Sequence, residues 1–208
     1  MKFTTFFSLF LLCAFTWNLP SASADVVDTD GNPLENSGTY FVRPVIITGN
    51  GGGVEFAATG NETCPLSVIQ VSSPFANGIP ILILSPEEKL YIEEGSLVDI
   101  GFSFVPLCSP YPSKWTAVKG LGDKLSIKLN GYDNIVAGKF TIKGRPPIIG
   151  GYRILFCPDD ESSCGYVGIQ FDDKRNRHLV VTQSQESALW IRFQRTAPAL
   201  PATATASA

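Results

Sequence analysis

Short runs rich in Val, Ile, Phe and Tyr, punctuated by Gly, Pro, Asn and Asp, fill the chain from residue 39 to residue 193. No window holds apolar residues at the i, i+3, i+4, i+7 spacing of a helix for several turns, so helices are not expected. The runs predict strands over residues 39–47, 54–57, 66–71, 79–84, 97–104, 115–118, 125–129, 138–142, 152–157, 167–171, 178–181 and 189–193. Turns spaced roughly every 8–15 residues make this an all-β sandwich or barrel. Alternation is clear in Leu97-Val98-Asp99-Ile100-Gly101-Phe102 and in Leu125-Ser126-Ile127-Lys128-Leu129. One face of each is expected to point inward and the other to solvent. Trp115 and Trp190, beside predicted strands, read as core or strand-end anchors.

The two ends of the chain lie outside this pattern. Lys2, an apolar run from Phe3 to Phe15 and the small residues Ala22-Ser23-Ala24 before Asp25 describe a secretory signal over residues 1–24. No later run is long and apolar enough for a membrane span, so no membrane partner is expected. Residues 196–208 contain only Ala, Pro, Thr, Ser and Leu, cannot bury a core, and are expected to form a disordered tail without a lipid-anchor signal. The domain then occupies residues 25–195. Removing the signal takes the formal charge from −3 to −4, with 15 basic against 19 acidic residues, which offers nucleic acid no electrostatic attraction.

Export also changes how the cysteines read. Cys13 leaves with the signal, and Cys64, Cys108, Cys157 and Cys164 enter an oxidising compartment. Four cysteines allow three connectivities, and their spacing favours Cys64–Cys108 with Cys157–Cys164. Loop entropy assigns these about 4 and about 2.5 kcal/mol as upper estimates. Without a C-x-x-C pair, and with His178 as the single histidine, a zinc site is not expected.

Other candidate chemistry falls away in turn. Gly49-Asn50-Gly51-Gly52-Gly53 lacks the spacing of a phosphate-binding loop and reads as a flexible turn. Asp28-Thr29-Asp30-Gly31 resembles the start of a calcium loop, but its glycine comes too early and no glutamate closes it. His178 has no nucleophile elbow beside it and is expected on a strand surface or in a hairpin. The pairs Glu87-Glu88, Glu93-Glu94 and Asp159-Asp160 are adjacent, so a strand would point their members apart, unlike the paired carboxylates of a glycosidase. No enzyme, cofactor or metal is expected. Asn61-Glu62-Thr63 is a glycosylation sequon at Asn61.

Val26-Val27-Asp28-Thr29-Asp30-Gly31-Asn32-Pro33-Leu34, with Tyr40-Phe41-Val42 after it, resembles the N-terminal signature of plant Kunitz-type protease inhibitors, the soybean trypsin inhibitor family. Thr59-Gly60-Asn61-Glu62-Thr63-Cys64-Pro65-Leu66, Ser85-Pro86, Tyr152-Arg153-Ile154-Leu155-Phe156-Cys157-Pro158, Cys164-Gly165 and Arg177-His178-Leu179-Val180-Val181 continue the likeness to about residue 195. It implies a β-trefoil of about twelve strands and agrees with the disulfide pairing above. It also implies a secreted, extracellular or vacuolar, monomeric inhibitor whose partner is a protease, of the serine type first.

In that family an exposed, rigid loop enters the protease as a substrate would. The resemblance carries this role to residues 85–92, with Pro86 stiffening the approach and Asn36 reaching the loop carbonyls from behind. It places the specificity position at Glu88, the scissile bond at Glu88–Lys89, and Cys64–Cys108 as a brace for the flanking strands. Trypsin inhibitors present Arg or Lys there, because the enzyme pocket ends in a carboxylate. Glu88 would set like charges together, so trypsin inhibition is expected to be weak. A one-residue shift would bring Lys89 into the position instead, and both registers stay open. The segment 172–177 is expected as an exposed hairpin tip with three bases, where Lys174 and Arg175 offer a second contact to a protease of another class. The competing reading is a β-trefoil without inhibitory activity: a storage protein or a miraculin-like binding protein. A sugar-binding trefoil is disfavoured by the lack of any Q-x-W triplet.

Overall fold

The computed structural model describes residues 23–45, 51–144, 150–159 and 163–196. Of the expected signal over 1–24 and the expected tail over 196–208, residues up to 22 and from 197 lie outside the described residues. The strands fall into three units of four. The first holds β1 (Thr39–Pro44), β2 (Val54–Ala57), β3 (Ser67–Gln70) and β4 (Ile81–Leu84). The second holds β5 (Leu97–Phe102), β6 (Trp115–Leu121), β7 (Lys124–Leu129) and β9 (Gly138–Gly144), with a two-residue rung, β8 (Ile135–Val136), laid on β6. The third holds β10 (Tyr152–Pro158), β11 (Gly165–Phe171), β12 (Arg177–Thr182) and β13 (Ile191–Arg195).

Within each unit the outer strands pair with each other and the inner two form a hairpin. The pairs are β1–β4 with β2–β3, β5–β9 with β6–β7, and β10–β13 with β11–β12, all antiparallel. Outer strands of successive units join as β4–β5, β9–β10 and β13–β1, which closes a six-stranded barrel. The hairpins meet through β3–β7, β7–β12 and β12–β3, forming a cap. This is the β-trefoil. Closure removes the unpaired edges that an open sheet would leave exposed.

Inward residues of all three units, Val42, Ile100 and Ile154 among them, fill the barrel. Phe102, Trp115, Phe140 and Phe156 form an aromatic series with successive ring centroids 5.6, 6.2 and 5.3 Å apart. The void left between Val42, Trp115, Ile154 and Leu179 is about 10 Å³, too small for a ligand. The barrel is a packed core, and binding falls to the loops.

Four expectations change. The strand expected over 39–47 stops pairing at Pro44, and residues 46–47 lie outside the described ones. Gly51, Gly52 and Gly53 are buried and interlocked with the 71–77 segment, so they are no flexible turn (Gly49 and Asn50 are not described). Gly52 N donates to the Val71 carbonyl and Gly53 N to that of Ala76, and a Cβ on Gly53 would stand 1.8 Å from the Asn77 oxygen. Ser126 lies on the cap strand β7, paired beside Val180 of β12, and is buried instead of facing solvent. His178, on the cap strand β12, is buried as well, which rules out the strand surface but leaves it the hairpin role.

Candidate functional site: the loop between β4 and β5

Leu84 and Asp99 make the last pair of the β4–β5 hairpin, and the chain between them leaves the barrel. Both arms of the loop are pinned before its exposed part begins. Ser37 N donates to the Ile83 carbonyl on one side (2.9 Å). On the other, Ile92 is wholly buried and exchanges hydrogen bonds with the N-terminal segment: its N donates to Leu34 O and its carbonyl accepts from Val26 N. Between these anchors Pro86, Glu87, Glu88, Lys89 and Leu90 are exposed.

Asn36 lies behind this stretch. Its Oδ1 accepts from Ser85 N at 2.9 Å. Its Nδ2 donates toward the carbonyls of Ser85 (3.4 Å), Glu87 (3.3 Å) and Lys89 (3.1 Å). A side-chain amide has two N–H donors, so the three acceptors share them. Asn36 N adds a bond to Leu90 O at 2.8 Å. Lys89 N donates to Glu87 O (2.8 Å), a three-residue turn with Glu88 at its apex.

Asn36 is aimed by the turn of residues 35–38, closed by Gly38 N on Glu35 O (2.9 Å). Ser37 takes φ 68° there, a region that L-residues seldom adopt. Gly38 is required by contact, since a Cβ would stand 2.7 Å from the Tyr40 ring and 2.9 Å from Glu35 O. The turn is fastened to the barrel by Tyr40 Oη, which accepts from Glu35 N, and by Arg195, paired with Glu35 at 3.0 Å and with Asp28 at 3.4 Å. The Asp28 turn is held by its own carboxylate, whose Oδ1 accepts from Asp30 N and Asn32 N at 2.9 Å. Glu35, Tyr40 and Arg195 went unnoticed as site residues. Tyr40 reads as a strand residue, and nothing local links Arg195 to residue 35.

The charges at the apex are arranged unequally. Lys89 Nζ lies 2.8 Å from Glu87 and 3.0 Å from Glu93, and these hydrogen bonds, Glu87 first, hold its ammonium above the usual lysine range. Among the described residues Glu88 finds no ion-pair or hydrogen-bond partner for its side chain, and no donor for its carbonyl.

Both disulfides are present, Cys64–Cys108 and Cys157–Cys164. The first does not brace the strands beside the loop. Cys108 follows β5, beyond the Ile81–Phe102 pair at the opposite end of the β4–β5 hairpin, and is tied to the segment between β2 and β3. That segment holds Asn61, exposed at a turn, and Glu62, turned inward. Burial opposes the Glu62 charge, but bonds from Lys128, Tyr132, Thr59 and Ser67 outweigh it and lower its carboxyl below the ordinary value. The adjoining cleft, about 720 Å³, is lined in part by Glu62 and by Thr59, Lys128 and Tyr132, which are bonded to it.

The 172–177 turn borders the same cleft and differs from the expected three-base tip. Asp173, Lys174 and Arg175 are exposed, but Arg177 turns back, its Nε and Nη2 donating to Gln70 Oε1 at 3.0 and 2.8 Å. Asp172 organises the turn, accepting from Asn176 N (2.7 Å), Asn176 Nδ2 (2.7 Å) and His178 Nε2 (3.1 Å). Burial raises the Asp172 carboxyl, and the bonds from Asn176 and His178 more than reverse this, bringing it down to about 2. Among the described residues no three His, Cys, Asp or Glu side chains gather to hold a metal ion.

Comparison with known proteins agrees with this layout. Residues 26–195 match the legume Kunitz family, described as "Trypsin and protease inhibitor". The Kunitz-type trypsin inhibitor KTI1 of Glycine max is 40% identical over 202 residues, 94% of this chain and 97% of the relative. Trypsin inhibitor 1B of Erythrina variegata is 38% identical, over 76% of this chain and 92% of that one. Soybean trypsin inhibitor in its complex with porcine pancreatic trypsin superposes with a TM-score of 0.73 at 34% identity, covering 83% of this chain and 99% of that one. A Kunitz-type trypsin inhibitor from Cicer arietinum reaches a TM-score of 0.77 at 29% identity, with 84% and 99% covered. The chain belongs to the legume Kunitz family of trypsin and protease inhibitors.

Proposed function

We propose that this protein inhibits a serine endopeptidase by offering residues 85–92 as a slowly cleaved substrate, with Glu88 entering the primary pocket and Glu88–Lys89 as the bond under attack. The observation that carries the reading is the grip of Asn36: the carbonyls of Glu87 and Lys89 are held and that of Glu88, between them, is left open. A protease needs that carbonyl free for its oxyanion hole. Holding the neighbours removes most of the loop entropy that binding would otherwise cost. The relatives named as trypsin inhibitors support the serine class. The register with Lys89 in the pocket has less support, since its carbonyl is bound to Asn36 and its ammonium to Glu87 and Glu93. Export through residues 1–24 and a glycan on exposed Asn61 belong to the same proposal.

The test is an inhibition panel of trypsin, chymotrypsin, subtilisin, elastase and papain, with the inhibitor mapped for cleavage by mass spectrometry. The reading expects weak inhibition of trypsin, and slow hydrolysis confined to Glu88–Lys89 in whichever serine enzyme is inhibited. Nanomolar trypsin inhibition with a cut after Lys89 would move the specificity position to Lys89.

A further inference from the structure

We propose that the loop is built for an acid-specific serine endopeptidase, one whose primary pocket is basic and which cleaves after glutamate. The inference rests on the loop reading above and names its target.

The first ground is the state of Glu88. It stands at the apex of the turn closed by Lys89 N on Glu87 O, exposed, with no cation of the described residues on its carboxylate. The nearest cation in sequence, Lys89, is committed to Glu87 and Glu93. A free carboxylate loses no internal partner on entering an enzyme pocket, whereas Lys89 would have to give up two. Pairing with a basic pocket compensates the desolvation of Glu88, and an apolar or acidic pocket leaves that cost standing.

The second ground is the field around it. Between residues 87 and 93 three carboxylates, Glu87, Glu88 and Glu93, stand against the single ammonium of Lys89. The loop face thus keeps a net negative charge with Lys89 paired. Such a face favours encounter with a basic rim and disfavours an acidic one, so rim and pocket select the same class of enzyme.

The test uses the purified protein, Glu88→Arg and Glu88→Gln, each assayed against trypsin and against a serine endopeptidase that cleaves after glutamate. Intact disulfides by mass and an unchanged circular dichroism spectrum serve as the fold control. The wild type is expected to inhibit the glutamate-specific enzyme, and Glu88→Gln to weaken this by at least about 10-fold. Glu88→Arg should abolish it and gain at least about 100-fold against trypsin. If Glu88→Arg inhibits trypsin while the wild type leaves the glutamate-specific enzyme unaffected, or is merely digested by it, the target is wrong and the loop reading stands. A folded Glu88→Arg that leaves trypsin untouched overturns the loop reading and this proposal with it.

Discussion

The loop at 85–92 and the turn at 172–177 are both exposed, charged connections between strands, yet they are held in opposite ways. The turn is held from within: the Asp172 carboxylate satisfies the backbone and side chain of Asn176 and the ring of His178. The loop is held from outside, by an amide 49 to 53 residues away in sequence that binds carbonyls on either side of the apex. A self-held turn keeps its shape by folding its polar groups inward. An externally held loop keeps its shape while leaving the apex carbonyl and side chain open. Rigidity with an open backbone is what an inhibitor loop needs, and only the second arrangement supplies it.

Three experiments press on that difference. The largest effect on stability should come from Cys64→Ser with Cys108→Ser, a loss of up to about 4 kcal/mol in denaturant unfolding. This disulfide ties the segment after β5 to the one between β2 and β3, away from the loop, so inhibition by the folded protein should survive. A parallel loss of inhibition would tie the loop to the disulfide after all.

Asn36→Ala should come next, weakening inhibition by about 2–3 kcal/mol as the loop carbonyls lose their shared donor, with faster hydrolysis at Glu88–Lys89. An unchanged inhibition constant would mean that the loop is rigid without its outside support.

Asp172→Ala should cost about 1–3 kcal/mol of stability, because buried His178 loses its acceptor, and should leave inhibition unchanged. The same carboxylate sets an acid limit. Its folded value of about 2 lies below the ordinary aspartate value of about 3.9, so its contribution is complete above about pH 4 and fades toward pH 2. Protection of the Arg175 and Asn176 amides from exchange, taken relative to the intrinsic rate at each pH, should fall across that window in the wild type and be low throughout in Asp172→Ala.

Much of this was readable along the chain. Alternation in 97–102 places Val98, Ile100 and Phe102 inside, and all three are buried. Period-two patterning works because a strand's facing is decided by its own residues. It misled at Ser126, which is buried on a cap strand beside β12 although alternation assigns its face to solvent. Three glycines in a row likewise resemble a flexible turn, and only the 71–77 segment packed against them shows why no side chain fits. Arg177 reads in the sequence as a third exposed base, but Gln70, 107 residues away, accepts from its guanidinium.

The sequence by itself determined the β-rich fold, the disulfide pairing through spacing, and the place of an acidic apex between two apolar strands. Each depends on local patterning or on loop entropy, which are properties of the chain. Tertiary structure alone decided which carbonyls Asn36 holds and that the long disulfide lies away from the loop. Those depend on closure of the barrel, which brings β1, β4 and β13 side by side and sets residue 36 behind residue 88. No period within the chain records that juxtaposition, because it exists only once distant strands have paired.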